Sequence, residues 1–153
     1  MKIQSSVVID AAPEKVFEVF SNLDVVAANV SGITKIEILA GPARMEVGTK
    51  WRETRTMFKK EATEVMWVTN IQKDASYVVE AESRGTHYRS EYLFTPEGSS
   101  TRVQMTFEGR PLTVGARIAS VLAVLFVGAT KKALHKDMLE LQRVCEAESG
   151  GRG

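Results

Sequence analysis

The sequence predicts an α+β fold: a curved antiparallel sheet of seven strands, two short helices between the first and second strands, and one long C-terminal helix across the sheet. Three observations predict it. Six runs with strand character follow one another between residues 33 and 109, separated only by turn material, which is the pattern of a meander. Residues from about 113 to 147 read as a single helix. A sheet of this kind has one face that needs cover. That helix, at ~1.5 Å per residue, makes a rod of roughly 50 Å, the only element long enough to supply it.

The elements follow in order. KIQSSVVID (2–10) carries Ile3, Val7 and Ile9 at a period of two, a strand. Pro13 suits the first turn of a helix and Glu14 its positive end. PEKVFEVFSNL then places Val16, Phe17, Phe20 and Leu23 on one face. DVVAANV (24–30) reads as a second short helix closed by Ser31 and Gly32. The strands ITKIEILAG, VGTKWRETRTMF, ATEVMWVTNIQ, SYVVEAES, THYRSEYLFT and TRVQMTFEG come next. Gly41–Pro42, Lys73–Asp74, Arg84–Gly85 and PEGSS (96–100) separate them, and Pro111 ends the last. The chain reads as one domain over 1–147, with ESGGRG (148–153) a flexible tail.

Composition excludes several functions. Of 153 residues, 44% are apolar and 25% charged, and the net charge is +1, which leaves no electrostatic footprint for nucleic acid. The single cysteine, Cys145, cannot form an internal disulfide. The N-terminal residues contain no sustained apolar run, so the expected location is the cytoplasm.

IASVLAVLFVGA (118–129) holds no charge at all. It is too short to span a bilayer, which takes roughly 20 apolar residues. On a helical wheel Leu134, Met138, Leu141 and Cys145 form one stripe, and its backward extension passes through Val127, Ala123, Ser120 and Ala116. Small side chains over a curved sheet leave a space unless large ones meet them. The bulky Ile118, Leu122 and Leu125 lie on the opposite side. They need cover from the short helices, from a second subunit in a homodimer, from a kink at Gly128, or from a membrane surface.

Alternation assigns the inner face of the sheet. It points Trp51, Glu53, Arg55 and Met57 inward, then Tyr77, Val79 and Ala81, then Tyr88, Ser90, Tyr92 and Phe94, and finally Val103, Met105 and Phe107. The run at 62–72 is apolar on both faces, and Val65, Trp67 and Thr69 are assigned inward. Tyrosine and tryptophan each offer an apolar body and one polar tip, as small-molecule sites do. Trp51, Glu53, Arg55, Trp67, Tyr77, Tyr88, Tyr92, Met105, Phe107, Ala116, Ser120 and Ala123 are thus the expected ligand-binding residues. Glu53 and Arg55 share a face, and opposite charges facing an interior need pairing. They either anchor a polar group of a ligand or sit at the wet rim of the sheet.

IDAAPEKVFEVFSN, VGTKWRE, PEGSSTRVQMTFEG and a closing helix ending HKDMLELQRVCE resemble the START-like (SRPBCC) superfamily, and within it the polyketide cyclase/dehydrase-like group. The similarity covers nearly the whole chain. It implies a helix-grip fold with a cavity between sheet and helix, and the binding of lipids, polyketides, quinones or similar molecules. The superfamily shares no catalytic motif, so no residue inherits a catalytic role.

Neither His87 nor His135 has a metal-ligand neighbour at useful spacing, and both are expected at the surface. No phosphate loop or nucleophile–base pairing is visible, and no cofactor or metal is expected. Three functions remain: carriage of a small hydrophobic ligand, a cyclase- or dehydratase-type reaction using Glu53 and a pocket hydroxyl, or an interaction module that docks another protein or a membrane surface through Ile118, Leu122 and Leu125.

Overall fold

A computed structural model describes residues 1–150, the side chains of Leu122 and of 148–150 excepted. The chain order is β1 (Lys2–Ile9), α1 (Pro13–Phe20), α2 (Leu23–Asn29), β2 (Ile33–Ala40), β3 (Lys50–Met57), β4 (Lys60–Gln72), β5 (Ser76–Ser83), β6 (Thr86–Glu97) and β7 (Ser100–Pro111). Helix α3 (Val114–Ala123), a 3-10 turn (Val124–Phe126) and α4 (Val127–Gly150) complete it. The seven strands form one antiparallel sheet in the order β1-β7-β6-β5-β4-β3-β2. This is the predicted helix-grip architecture.

The same forces that were legible in the sequence build one half of the core. Helix α1 starts at Pro13 and buries Val16, Phe17, Val19 and Phe20. Helix α2 is capped by the Asn22 side chain, which accepts from the Asp24 backbone N–H at 3.0 Å. The ring of Phe20 stands edge-on to Phe94 and Tyr92, and Phe17 to Phe94 and Tyr77. From the other side α4 inserts Met138, Leu141 and Cys145, all buried. The predicted stripe of the closing helix therefore packs as expected over its second half.

Its first half departs from expectation. The segment expected as one helix is broken at Val124–Phe126, and the two parts are bent by 45°. The break falls among Val121, Val124, Phe126 and Val127, β-branched and aromatic residues with weaker helical preference. Helix α3 keeps a short contact with β7 through the buried Ala116, and the chain leaves the sheet toward the break. No single helix among the described residues is long and apolar enough to cross a membrane. At the far end α4 continues to Gly150, into the segment expected to be flexible, and residues 151–153 lie outside those described.

The two histidines separate. His87 faces outward on β6, between Glu80 (2.8 Å) and Glu82 (3.2 Å). His135, expected at the surface, is half-buried instead, its Nδ1 2.6 Å from the Ser5 hydroxyl of β1. The helix lies close enough to that edge strand to enclose the ring.

Candidate functional site

Register fixes which side chains share the concave face, because directly opposed residues in a ladder point the same way. Trp51 opposes Met66, and Glu53 opposes Glu64, on β3 and β4. Tyr77 opposes Tyr92, Val79 opposes Ser90, and Ala81 opposes Tyr88. Tyr92 opposes Met105, and Ser90 opposes Phe107. The inward assignments for β3, β5, β6 and β7 match this register.

The assignment for β4 is one residue out. Trp67 pairs with Lys50 and Glu80, so it lies on the convex face with Val65 and leaves the candidate site. The cause is the two-residue turn at Phe58–Lys59, both with positive φ, which sets the β3–β4 register and puts Glu64, Met66 and Val68 inward. Apolar residues on both sides of this strand hid the parity.

The concave face is divided in two. Trp51, Tyr77, Phe94, Val103 and Met105 are buried under α1 and the second half of α4, and their aromatic contacts are filled by the protein itself. The Tyr77 hydroxyl donates to the Phe20 carbonyl at 3.3 Å. Met66, Tyr88, Ser90, Tyr92 and Phe107 form the other half and remain partly exposed, with Tyr88 and Phe107 stacked at 5.5 Å. Of the expected ligand-binding residues, Tyr88, Tyr92, Phe107, Glu53 and Arg55 come together around this open half. Trp51, Tyr77 and Met105 form the closed floor beside it.

The small-residue wall does not form as expected. Ala116 is buried and Ser120 half-buried, but Ala123 is exposed, because the bend carries that part of the chain off the sheet. The Ser120 hydroxyl donates to the Arg117 carbonyl at 2.8 Å. Neither the short helices nor the kink covers the opposite side: Ile118 is 66% and Leu125 79% exposed. The Leu122 side chain lies outside those described. An open depression of about 690 Å³ lies elsewhere, at the β1 edge, lined by Gln4, Ser5, Ser6, Arg102, Gln104, Gly128, Lys131, Lys132 and His135. Its lining residues are polar or charged apart from Gly128, and none is one of the aromatic residues of the concave face, so it is not the predicted cavity.

A buried polar cluster borders the open half. Arg55 donates to Asp137 of α4 at 2.7 Å and lies 3.5 Å from Glu53, whose other oxygen is 3.5 Å from the Trp51 indole nitrogen. Gly32 makes room for this: a Cβ there would lie 3.2 Å from the Arg55 guanidinium. Burial pushes the Glu53 carboxyl above its ordinary range, against the opposing pull of Arg55. Burial likewise raises Asp137 and Glu64. Burial also works against the charge on Arg55, but its bond to Asp137 outweighs that and holds it firmly cationic. The Tyr92 phenol is held protonated, chiefly by burial and then by the Asp137 charge.

Glu64 Oε2 is buried with no hydrogen-bond partner among the described residues. Two carboxyls, Glu53 and Asp137, flank one guanidinium, and this arrangement can present a fixed cation, a carboxyl able to accept or donate, and a phenolic donor. Sequence reasoning missed Asp137 in this cluster and, opposite Glu53 on β4, Glu64. Asp137 flanks the apolar stripe of α4, and the need of Arg55 for a partner was the signal that could have found it. Glu64 was lost with the β4 parity. Among the described residues no group of histidine, cysteine and carboxylate side chains is arranged to hold a metal.

Comparison with solved structures agrees with this fold. TTHA0849 of Thermus thermophilus superposes with a TM-score of 0.80 at 18% identity, covering 97% of this chain and 99% of its own. A conserved protein of Geobacillus kaustophilus gives 0.71 at 14% identity, covering 96% of each chain. DR_A0006 of Deinococcus radiodurans gives 0.64 at 15% identity, covering 98% of each. At these identities the likeness concerns the fold alone. No curated protein matches the sequence. The sequence pattern of the family described as polyketide cyclase / dehydrase and lipid transport, however, matches residues 1–146, so the chain belongs to that family.

Proposed function

We propose that the protein binds and carries a small hydrophobic molecule on the open half of its concave face, against Tyr88, Tyr92, Phe107 and Met66. One observation carries this reading: apolar and aromatic side chains stay partly exposed there, directly beside the buried Glu53–Arg55–Asp137 cluster. Apolar walls with a few fixed polar groups are what small-molecule sites require. The apolar body of the guest would displace water from the aromatic rings, and one carbonyl or hydroxyl would meet Arg55 or the Tyr92 phenol. Membership of a family described by cyclase, dehydrase and lipid-transport activities supports the same class of ligand.

Ser90 lies in the middle of this surface, opposite Phe107 and Val79. Ser90→Trp fills the open half; because Ser90 also neighbours the core residue Val79, an unchanged melting temperature is its control. Titration with the fluorescent apolar probe anilinonaphthalene sulfonate is expected to saturate on the natural protein. On Ser90→Trp it should be weaker by about tenfold or more, the loss of roughly 1.4 kcal/mol. Equal affinity of both proteins would refute the reading.

A cyclase- or dehydratase-type reaction is the second reading, favoured by Glu53, which burial holds toward the protonated form beside the Tyr92 phenol. Glu53→Gln separates the two: a carrier keeps its function, whereas an enzyme of this kind keeps binding and loses turnover.

A further inference from the structure

Among the described residues, the outer face of the apolar arm formed by α3 and the 3-10 turn meets only the Phe58 ring, at Phe126. Val114, Ile118, Val121, Val124, Leu125 and Phe126 are each between 54% and 79% exposed. Single exposed apolar residues are ordinary, but a contiguous ridge of six marks an interaction surface.

Three further observations identify what meets it. The first is charge: from Gly109 to Lys136 the chain contains Arg110, Arg117, Lys131, Lys132 and Lys136 and no acidic residue. The second is the β3–β4 tip, where Phe58 and Lys59 adopt φ of 54° and 62°. Side chains with a Cβ pay about 1–2 kcal/mol for that conformation, and Asn or Gly would fit it freely. Instead the tip holds up a half-exposed aromatic ring 5.5 Å from that of Phe126, followed by Lys59 and Lys60. The third is the open depression at the β1 edge, which begins at Gly128, directly after the ridge, and is lined by Lys131, Lys132 and His135 with no carboxylate.

We propose that residues 112–128 and the Phe58 tip dock on the surface of a lipid bilayer containing anionic lipids. The ridge enters the boundary between headgroups and acyl chains, and the surrounding cations meet the lipid phosphates. An apolar face rimmed by lysine and arginine is the composition of an interfacial helix. The 45° bend suits a segment that lies in the surface rather than crossing it. A second copy of the chain fits less well, since symmetric pairing through this arm would set cations against cations with no acid in the segment to answer them. The inference is independent of the ligand reading.

Flotation of the full chain with vesicles tests it, comparing phosphatidylcholine containing phosphatidylglycerol with phosphatidylcholine alone. Binding is expected only with the anionic vesicles or at least about tenfold tighter to them, and should weaken as salt rises. Leu125→Glu should reduce it by about tenfold or more with an unchanged melting temperature, since the side chain is 79% exposed. Arg117→Glu with Lys132→Glu, both on exposed residues, should reduce it without touching the ridge. Absence of vesicle binding, equal binding to neutral vesicles, or indifference to all these changes would overturn the proposal. A dimer seen by light scattering that Leu125→Glu dissociates, without vesicle binding, would assign the arm to self-association and overturn it equally.

Discussion

Phe20→Ala is expected to lower the free energy of unfolding by about 4 kcal/mol, measured by urea denaturation. Phe20 is 1% exposed and joins three parts of the molecule. Its ring meets Tyr92 and Phe94 of the sheet edge-on, and its carbonyl receives the Tyr77 hydroxyl. Truncation loses the transfer free energy of a phenyl ring and leaves a hole that β6 and α1 cannot collapse into, because the surrounding rings are already fixed on one another. A loss below about 1 kcal/mol would mean that this half of the face is not the closed floor described above.

Arg55→Met is expected to cost about 3–5 kcal/mol at neutral pH, since it strands Glu53 and Asp137 without their cation. The three side chains are only 10–17% exposed, so solvent cannot replace the lost partner. The penalty carries a pH signature. Both carboxyls are already raised by burial, and losing Arg55 raises them further. A folded state holding raised carboxyls binds more protons than the unfolded chain, so its stability falls as pH rises from the ordinary carboxylate range through the raised values. The defect of Arg55→Met should therefore be largest at neutral pH and shrink on acidification. In the natural protein Glu53→Gln should flatten the same downward slope. A defect that stays constant across pH, or grows in acid, would contradict this assignment of charge.

The fold was legible because its signals are local and repeated. Alternation in TRVQMTFEG and THYRSEYLF set the inner faces of β7 and β6, and the Leu134–Met138–Leu141–Cys145 stripe set the packing of α4. What escaped was set by geometry that a period does not contain. The β4 parity depended on a two-residue turn made of Phe58 and Lys59, which carry no turn signature, and with it went Trp67 and Glu64. The wheel extended one axis through residues 113–147, whereas the chain bends at Val124–Phe126, so Ala123 left the wall it was expected to form. The Arg55–Asp137 contact spans 82 positions, and only tertiary packing brings the two together.

Methionine methyl resonances offer the most direct test of a guest on the open half of the concave face. Met66 lies partly exposed on that surface, while Met105 and Met138 are 1% exposed in the closed core. On titration with anilinonaphthalene sulfonate the Met66 methyl signal is expected to shift saturably, with Met105 and Met138 moving far less. A bound probe that leaves Met66 unmoved, or no saturable binding of apolar probes at all, would contradict the account.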